Sequence, residues 1–251
     1  MSEMLIQELF LDEIHESRPD GFRVGQFLFA PYILAEDPAA GVSDEHRTAA
    51  QLADVFTKMD RLLGCAQATR GNVVRVTVFL REVLERPTLN AVWEHWFPEP
   101  RDRPPHKYVP AQLPEGINVA IQVIGLIGVV RTVLEIPGVQ HQDPMSMGAR
   151  TGNLVTSSRL FGQTPDLNDT ISLILARAES LLKQAGGDLS DLVQATFFVG
   201  DPEIGSAVEK RWTDSWAHAE NKPRFHLLEA NLGGGNGFPR VEILGLLKGA
   251  S

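Results

Sequence analysis

The stretch "NKPRFHLLEANLGGGNGFPRVEILGLL", residues 221–247, sets Arg224 just after a proline and Glu242 inside an apolar run. A carboxylate in such a run costs free energy unless it is paired, hydrogen-bonded or used. Arginine presents a planar, permanently charged fork that suits a carboxylate bidentately. A partly buried glutamate can accept a proton, orient a water and give the proton back. Two readings follow. Either Arg224 and Glu242 form a structural ion pair, or Arg224 grips a ligand's acid group while Glu242 manages water. His226, beside Arg224, would contact the same ligand or lend only its backbone.

These residues must be positioned by strands, and the chain repeats the strands that do so. "LLGCAQATRGNVVRVTVFL" (62–80) overlays "LLKQAGGDLSDLVQATFFV" (181–199), with Thr77 on Thr196, Trp93 on Trp212 and Pro104 on Pro223. Upstream, "RVGQFLFAP" resembles "RTGNLVTSS". Pro137, Gly138 and Pro144 interrupt the periodicity between the copies, so domains over 1–136 and 137–251 are expected. Each copy reads as short strands, a helix, a β-branched strand, a second helix and two closing strands. The first helix of copy 1 carries Leu52, Val55, Phe56, Met59, Leu62 and Leu63, with Ser43 as a cap and Gly64 as its end. That order predicts an α+β layer, helices on one face of a mixed sheet, with the other face needing a cover.

The fragments "TGNLVTSSRL", "AGGDLSDLVQATFFV", "KPRFHLLEANL" and "RVEILGLL", with "VGQFLFAPYI", "GNVVRVTVFL" and "LNAVWEHWF" in the first copy, resemble the reactive intermediate deaminase (RidA/YjgF) family. The resemblance covers nearly the whole chain, twice. It implies a chorismate-mutase-like fold in each copy and a homotrimer in which sheets form a central barrel and clefts hold the sites. It also implies hydrolysis of enamines or imines without metal or organic cofactor. Arg224 would grip the substrate carboxylate and Glu242 would serve the attacking water. The carbonyl of His226 would take the amino group, and Ser158 would line the site. The first copy shows Pro105, Ala120 and Pro31 at the three motif positions and so looks catalytically dead; its Asn90 matches a family asparagine where copy 2 has Glu209.

Arg159 stands where the family has glycine, and Arg240 precedes the "VEI" segment. Two readings apply. They bind a second carboxylate, favouring a dicarboxylate enamine of the 2-aminomuconate type, or they are solvated surface residues. "GGGNG" (233–237) lacks the Lys-Ser/Thr of a phosphate loop and reads as a permissive loop that could lid the site. The four tryptophans read as helix anchors in the core, Phe29–Tyr32 as strand packing, Cys65 as core, and His46 and His95 as solvated.

A formal net charge of −9 and the lack of a basic, aromatic-interleaved patch argue against nucleic acid as partner. No apolar run approaches the length of a membrane span. The acidic start lacks signal-peptide character, and a single cysteine fits a reducing, cytoplasmic setting. The expected partner is a small carboxylate-bearing molecule. The rival class is a regulatory module that binds metabolites without turning them over.

Overall fold

The computed structural model describes residues 6–11, 19–36, 44–82, 86–140, 143–219, 222–230 and 238–249. Ser43 and the GGGNG loop lie outside them. The chain forms two compact units, one comprising Met1–Thr132 and Gln142–Met145, the other Val133–His141 and Ser146–Ser251. The linker is therefore shared between the units rather than cut at a single point.

The first unit is a six-stranded sheet with two helices. Its elements are β1 (Ile6–Leu9), β2 (Gly21–Val24), β3 (Phe27–Leu34), α1 (Asp44–Cys65), β4 (Val73–Leu80), α2 (Arg86–Trp96), β5 (His106–Pro110) and β6 (Val119–Leu126). The strand order is β1-β2-β3-β6-β4-β5. The second contains β7 (Thr132–Leu134), β8 (Gly148–Thr151), β9 (Leu154–Ser157), β10 (Leu160–Phe161), α3 (Leu167–Gln184), β11 (Leu192–Val199), α4 (Pro202–Ser215), β12 (Arg224–Glu229) and β13 (Arg240–Leu246). Its order is β12-β11-β13-β9-β8-β7, with β10 also on β13. Each sheet is mixed, because the helical crossovers β4-α2-β5 and β11-α4-β12 create one parallel pair.

Helical spacing places the apolar residues as expected. Leu52, Val55, Phe56, Met59, Leu62 and Leu63 are all buried on α1, as are Ile171, Ile174, Ala178, Leu181 and Leu182 on α3. Asp166 caps α3 by accepting from the Asp169 amide at 3.0 Å, and Asp201 caps α4 through the Glu203 amide at 2.7 Å. Trp93 is enclosed by Phe56, Phe97 and His106, and Trp212 by Phe197 and Phe225. Trp96 and Trp216 sit half-buried at the helix ends, packed against the edges of the cores.

Three sequence expectations fail here. The first helix runs past Gly64 to Cys65, and the chain reverses at Gln67, whose φ is 56°. The added residue turns Ala66 inward and Cys65 outward, so Cys65 is exposed, not core. Phe27, Phe29 and Tyr32 are also substantially exposed. They lie on strand positions facing away from the helices, where packing onto the unit's own core is impossible. No described helix is long and apolar enough to cross a membrane.

Linker residue Asp143 is anchored in the first unit by an ion pair with Arg86 and by Asn90, whose side chain donates at 2.8 Å. Tyr108 donates to Asn90 at 2.8 Å and meets His106 Nε2 at 3.1 Å. Burial, then the charge of Asp143, holds the Tyr108 phenol well above the ordinary tyrosine range, with Arg86 opposing. The unfolded chain releases this proton above about pH 10 while the folded chain keeps it, so stability falls as pH rises from that point. Tyr108→Phe flattens that component of the fall when urea midpoints near about pH 9 and about pH 11 are compared. Asp143→Ala, which removes the acceptor of the Asn90 side-chain amide and the countercharge of Arg86, costs about 1–3 kcal/mol in the same assay.

Candidate active site of the second unit

Strand register decides which side chains share a face. On β11, Gln194, Thr196 and Phe198 pair across to Arg224, His226 and Leu228 of β12. On the other side they pair with Leu244, Glu242 and Arg240 of β13. Ala195, Phe197 and Val199, the alternate residues of β11, are buried with α3 and α4. Arg224, His226, Gln194, Thr196, Phe198, Glu242 and Arg240 therefore occupy the face turned away from the helices. His226, Thr196 and Glu242 form one row across three strands. Arg224 lies one row over, roughly 12 Å from Glu242 between Cα atoms at ordinary sheet spacings.

Glu242 is 4% exposed. Its carboxylate pairs with Arg159, Nε to Oε1, at 3.5 Å. The Arg159 guanidinium also lies 4.2 Å from the centroid of the Phe198 ring. Arg159 is thus held between a carboxylate and an aromatic face, and its side chain is 15% exposed. This overturns the solvated reading of Arg159 and replaces the proposed Arg224–Glu242 ion pair by an Arg159–Glu242 pair. Arg224 and His226, on the outer strand, are both exposed and alternate with half-buried Phe225 and Leu227. Arg240 is partly buried, paired in register with Phe198 and Phe161.

Ser158 is buried, and its hydroxyl donates to the Ser146 carbonyl at 2.7 Å. It braces the chain between β9 and β10 and retains only acceptor capacity toward a ligand. The neighbouring Ser157 hydroxyl accepts from the Ile243 amide at 2.9 Å, fixing the backbone beside Glu242. The middle strand was not singled out from the sequence. Gln194 donates to the Thr196 hydroxyl at 3.1 Å, and both residues lie between the arginine and the glutamate. Alternate reading of "LVQATFFV" carried that signal.

The same register corrects the comparison of the two copies. Both sheets have an irregularity at the same place, between Val73 and Arg75 and between Leu192 and Gln194. Gly125 then matches Gly245, and Gln122, paired to Thr77, matches Glu242, paired to Thr196. Ala120 is the counterpart of Arg240, not of Glu242. A slip of two residues preserves the in-out alternation of a strand, so pattern alone could not detect it. The first copy thus carries the uncharged isostere of the glutamate.

Residues 20–127 match the family model Ribonuc_L-PSP, Endoribonuclease L-PSP. The first unit is by this match similar to the RidA/YjgF family. The match falls on the copy that has Pro105 and Gln122 where the second has Arg224 and Glu242. Among solved structures, a chorismatase is similar over 90% of this chain and 76% of its own, at 14% identity and a TM-score of 0.66. The two-unit fold is therefore shared with that enzyme. An uncharacterized Pseudomonas aeruginosa protein aligns at 24% identity, covering 49% of this chain and 99% of its own, with a TM-score of 0.41. Rv2704 of Mycobacterium tuberculosis, a member of the YjgF/YER057c/UK114 family, aligns at 23% identity, covering 47% and 99%, with a TM-score of 0.42. No curated protein matches.

Removing Arg159 leaves Glu242 buried without its countercharge. Arg159→Ala is expected to cost about 1–3 kcal/mol of stability, and Arg159→Ala/Glu242→Gln to recover most of it, in a double-mutant cycle by urea denaturation. Additive losses would show that the pair contributes nothing.

Proposed function

We propose that the second unit hydrolyses a small carboxylate-bearing enamine or imine, releasing ammonia and a 2-keto acid. The observation that carries this reading is the shared face: a buried Glu242 with its charge balanced by Arg159, and exposed Arg224 one row away. Arg224 grips the substrate carboxylate. The enamine tautomerises to an imine, whose carbon is electrophilic. As the water oxygen bonds to that carbon, Glu242 takes one water proton and passes it to nitrogen, giving a carbinolamine; it then moves the hydroxyl proton to nitrogen as the C–N bond breaks, leaving ammonia and the C=O of the 2-keto acid. The His226 carbonyl receives the amino group, and neither a metal nor an organic cofactor enters the scheme. A homotrimer completes the site.

Arg159 and Arg240 are the further cations that a dicarboxylate would use. The Arg159 guanidinium is engaged by Glu242 and Phe198, which favours a monocarboxylate over a 2-aminomuconate-type substrate.

Ammonia release from a freshly generated 2-imino acid tests the reading. Glu242→Gln is expected to lower kcat by about 10²–10⁴-fold. Arg224→Ala is expected to raise KM about tenfold to a hundredfold. Full activity in either variant overturns the assigned role, and no ammonia release by the wild type favours a metabolite-binding module. RNA cleavage abolished by Arg224→Ala would instead support the activity named in the family model. Light scattering after size exclusion is expected to give a trimer; a clean monomer removes an intersubunit site.

A further inference from the structure

We propose that Thr196 relays the proton between Glu242 and the substrate nitrogen in the second unit, with Gln194 setting the direction of its hydroxyl. The inference rests on the hydrolytic reading above and adds a catalytic residue to it.

Thr196 is the central member of its row, opposite His226 of β12 on one side and Glu242 of β13 on the other. Thr196 and Glu242 face each other across an antiparallel pair, on one face of the sheet. Their Cβ atoms are therefore about 4.5–5.5 Å apart, which puts a hydroxyl and a carboxylate within reach of each other.

A threonine hydroxyl has one proton to give and two lone pairs with which to accept. Gln194 fills one lone pair, its Nε2 donating to Thr196 Oγ1 at 3.1 Å. Gln194 lies in the neighbouring row, between Arg224 and Leu244, so it approaches the hydroxyl from that side. One lone pair and the proton remain for the row shared with Glu242 and His226. Among the described residues, the bond from Gln194 is the one side-chain hydrogen bond that Thr196 makes. Thr196 is half-buried, so a bound ligand can touch it. A free donor and a free acceptor on the same oxygen are what a relay requires.

Glu242 needs such a partner. Its carboxylate is 4% exposed and paired with Arg159 at 3.5 Å, so it cannot swing across the face after the nitrogen. The amino group is received on the His226 side of the row. Two strand spacings, about 10 Å, separate the Cα atoms of Glu242 and His226, and Thr196 stands midway. The protonated Glu242 gives its proton to Thr196 Oγ1 as the Thr196 proton passes to the substrate nitrogen. One O–H bond of the threonine breaks as another forms, the hydroxyl is restored, and Glu242 is again a carboxylate. The relay runs once as the carbinolamine forms and once as ammonia leaves, with no further reactant.

The first unit sharpens the contrast. It keeps a threonine in this place, Thr77, opposite Gln122. Arg75 stands there at the position of Gln194, and Thr77 Oγ1 has no hydrogen-bond partner. The threonine is common to both sheets, whereas the glutamine that orients its hydroxyl accompanies the carboxylate.

The test is ammonia release by the full chain with 2-iminopropanoate, freshly generated, as the probe. Thr196→Val, which keeps the side-chain shape, is expected to lower kcat about 10²-fold with KM unchanged. Thr196→Ser, which restores a hydroxyl, is expected to recover most of that loss. Gln194→Leu is expected to lower kcat in the wild-type background and to change nothing further in Thr196→Val, because it acts through the hydroxyl. Far-ultraviolet circular dichroism verifies that each variant is folded; should Thr196→Val unfold, the kcat of Gln194→Leu carries the test. Wild-type kcat in Thr196→Val or in Gln194→Leu, or a Thr196→Ser as slow as Thr196→Val, overturns the relay and leaves the hydrolytic reading standing. A wild type that releases no ammonia removes that reading and the relay with it.

Discussion

A single carboxylate on the central strand of the second sheet sets the terms for everything around it. Glu242 is flanked in sequence by buried Val241 and Ile243, so the strand cannot turn it to water without exposing them. The charge is accommodated instead by Arg159, which is itself flattened on Phe198. A guanidinium suits this place because its charge is delocalised and its face stacks on aromatic carbon. Backbone support comes from beneath, where the Ser157 hydroxyl accepts from the amide of Ile243. The result is a charged group whose position is determined by packing, which is what a residue that steers water requires.

The two units show how one backbone can carry different side chains. Their sheets share the strand order at the centre, the parallel crossover and the irregularity on the middle strand. The helix-facing residues are interchangeable in kind, so both cores persist. Only the other face diverges: Glu242 becomes Gln122, Arg159 becomes Tyr32, and the row of Gln194 and Arg224 becomes Arg75 and Pro105. Each change alters charge or proton-carrying capacity while leaving the strand's alternation intact. Side chains can differ on this face because the apolar cores lie on the other.

Much of this was legible from residue order. Helices with apolar residues at three- and four-residue spacing fell where expected, as did the β-branched middle strands, because burial of one face dictates those periods. The errors share a physical origin. Cys65 was misplaced because one extra helical residue rotates the next position by about 100°. Phe29 and Tyr32 were misread because an aromatic on a strand says nothing of which face it occupies. Ala120 was matched to Glu242 because slips by two are invisible to alternation.

Sequence by itself determined the repeat, the α+β class, the apolar faces and the two residue types able to grip an acid and handle a proton. It did so because burial and alternation are local, periodic properties. Tertiary structure alone decided partnership: that Glu242 pairs with Arg159 rather than Arg224, that Gln194 satisfies Thr196, and that Thr77 lacks such help. Those outcomes depend on register between strands distant in the chain, and a ladder of hydrogen bonds, not the order of residues along one strand, sets that register.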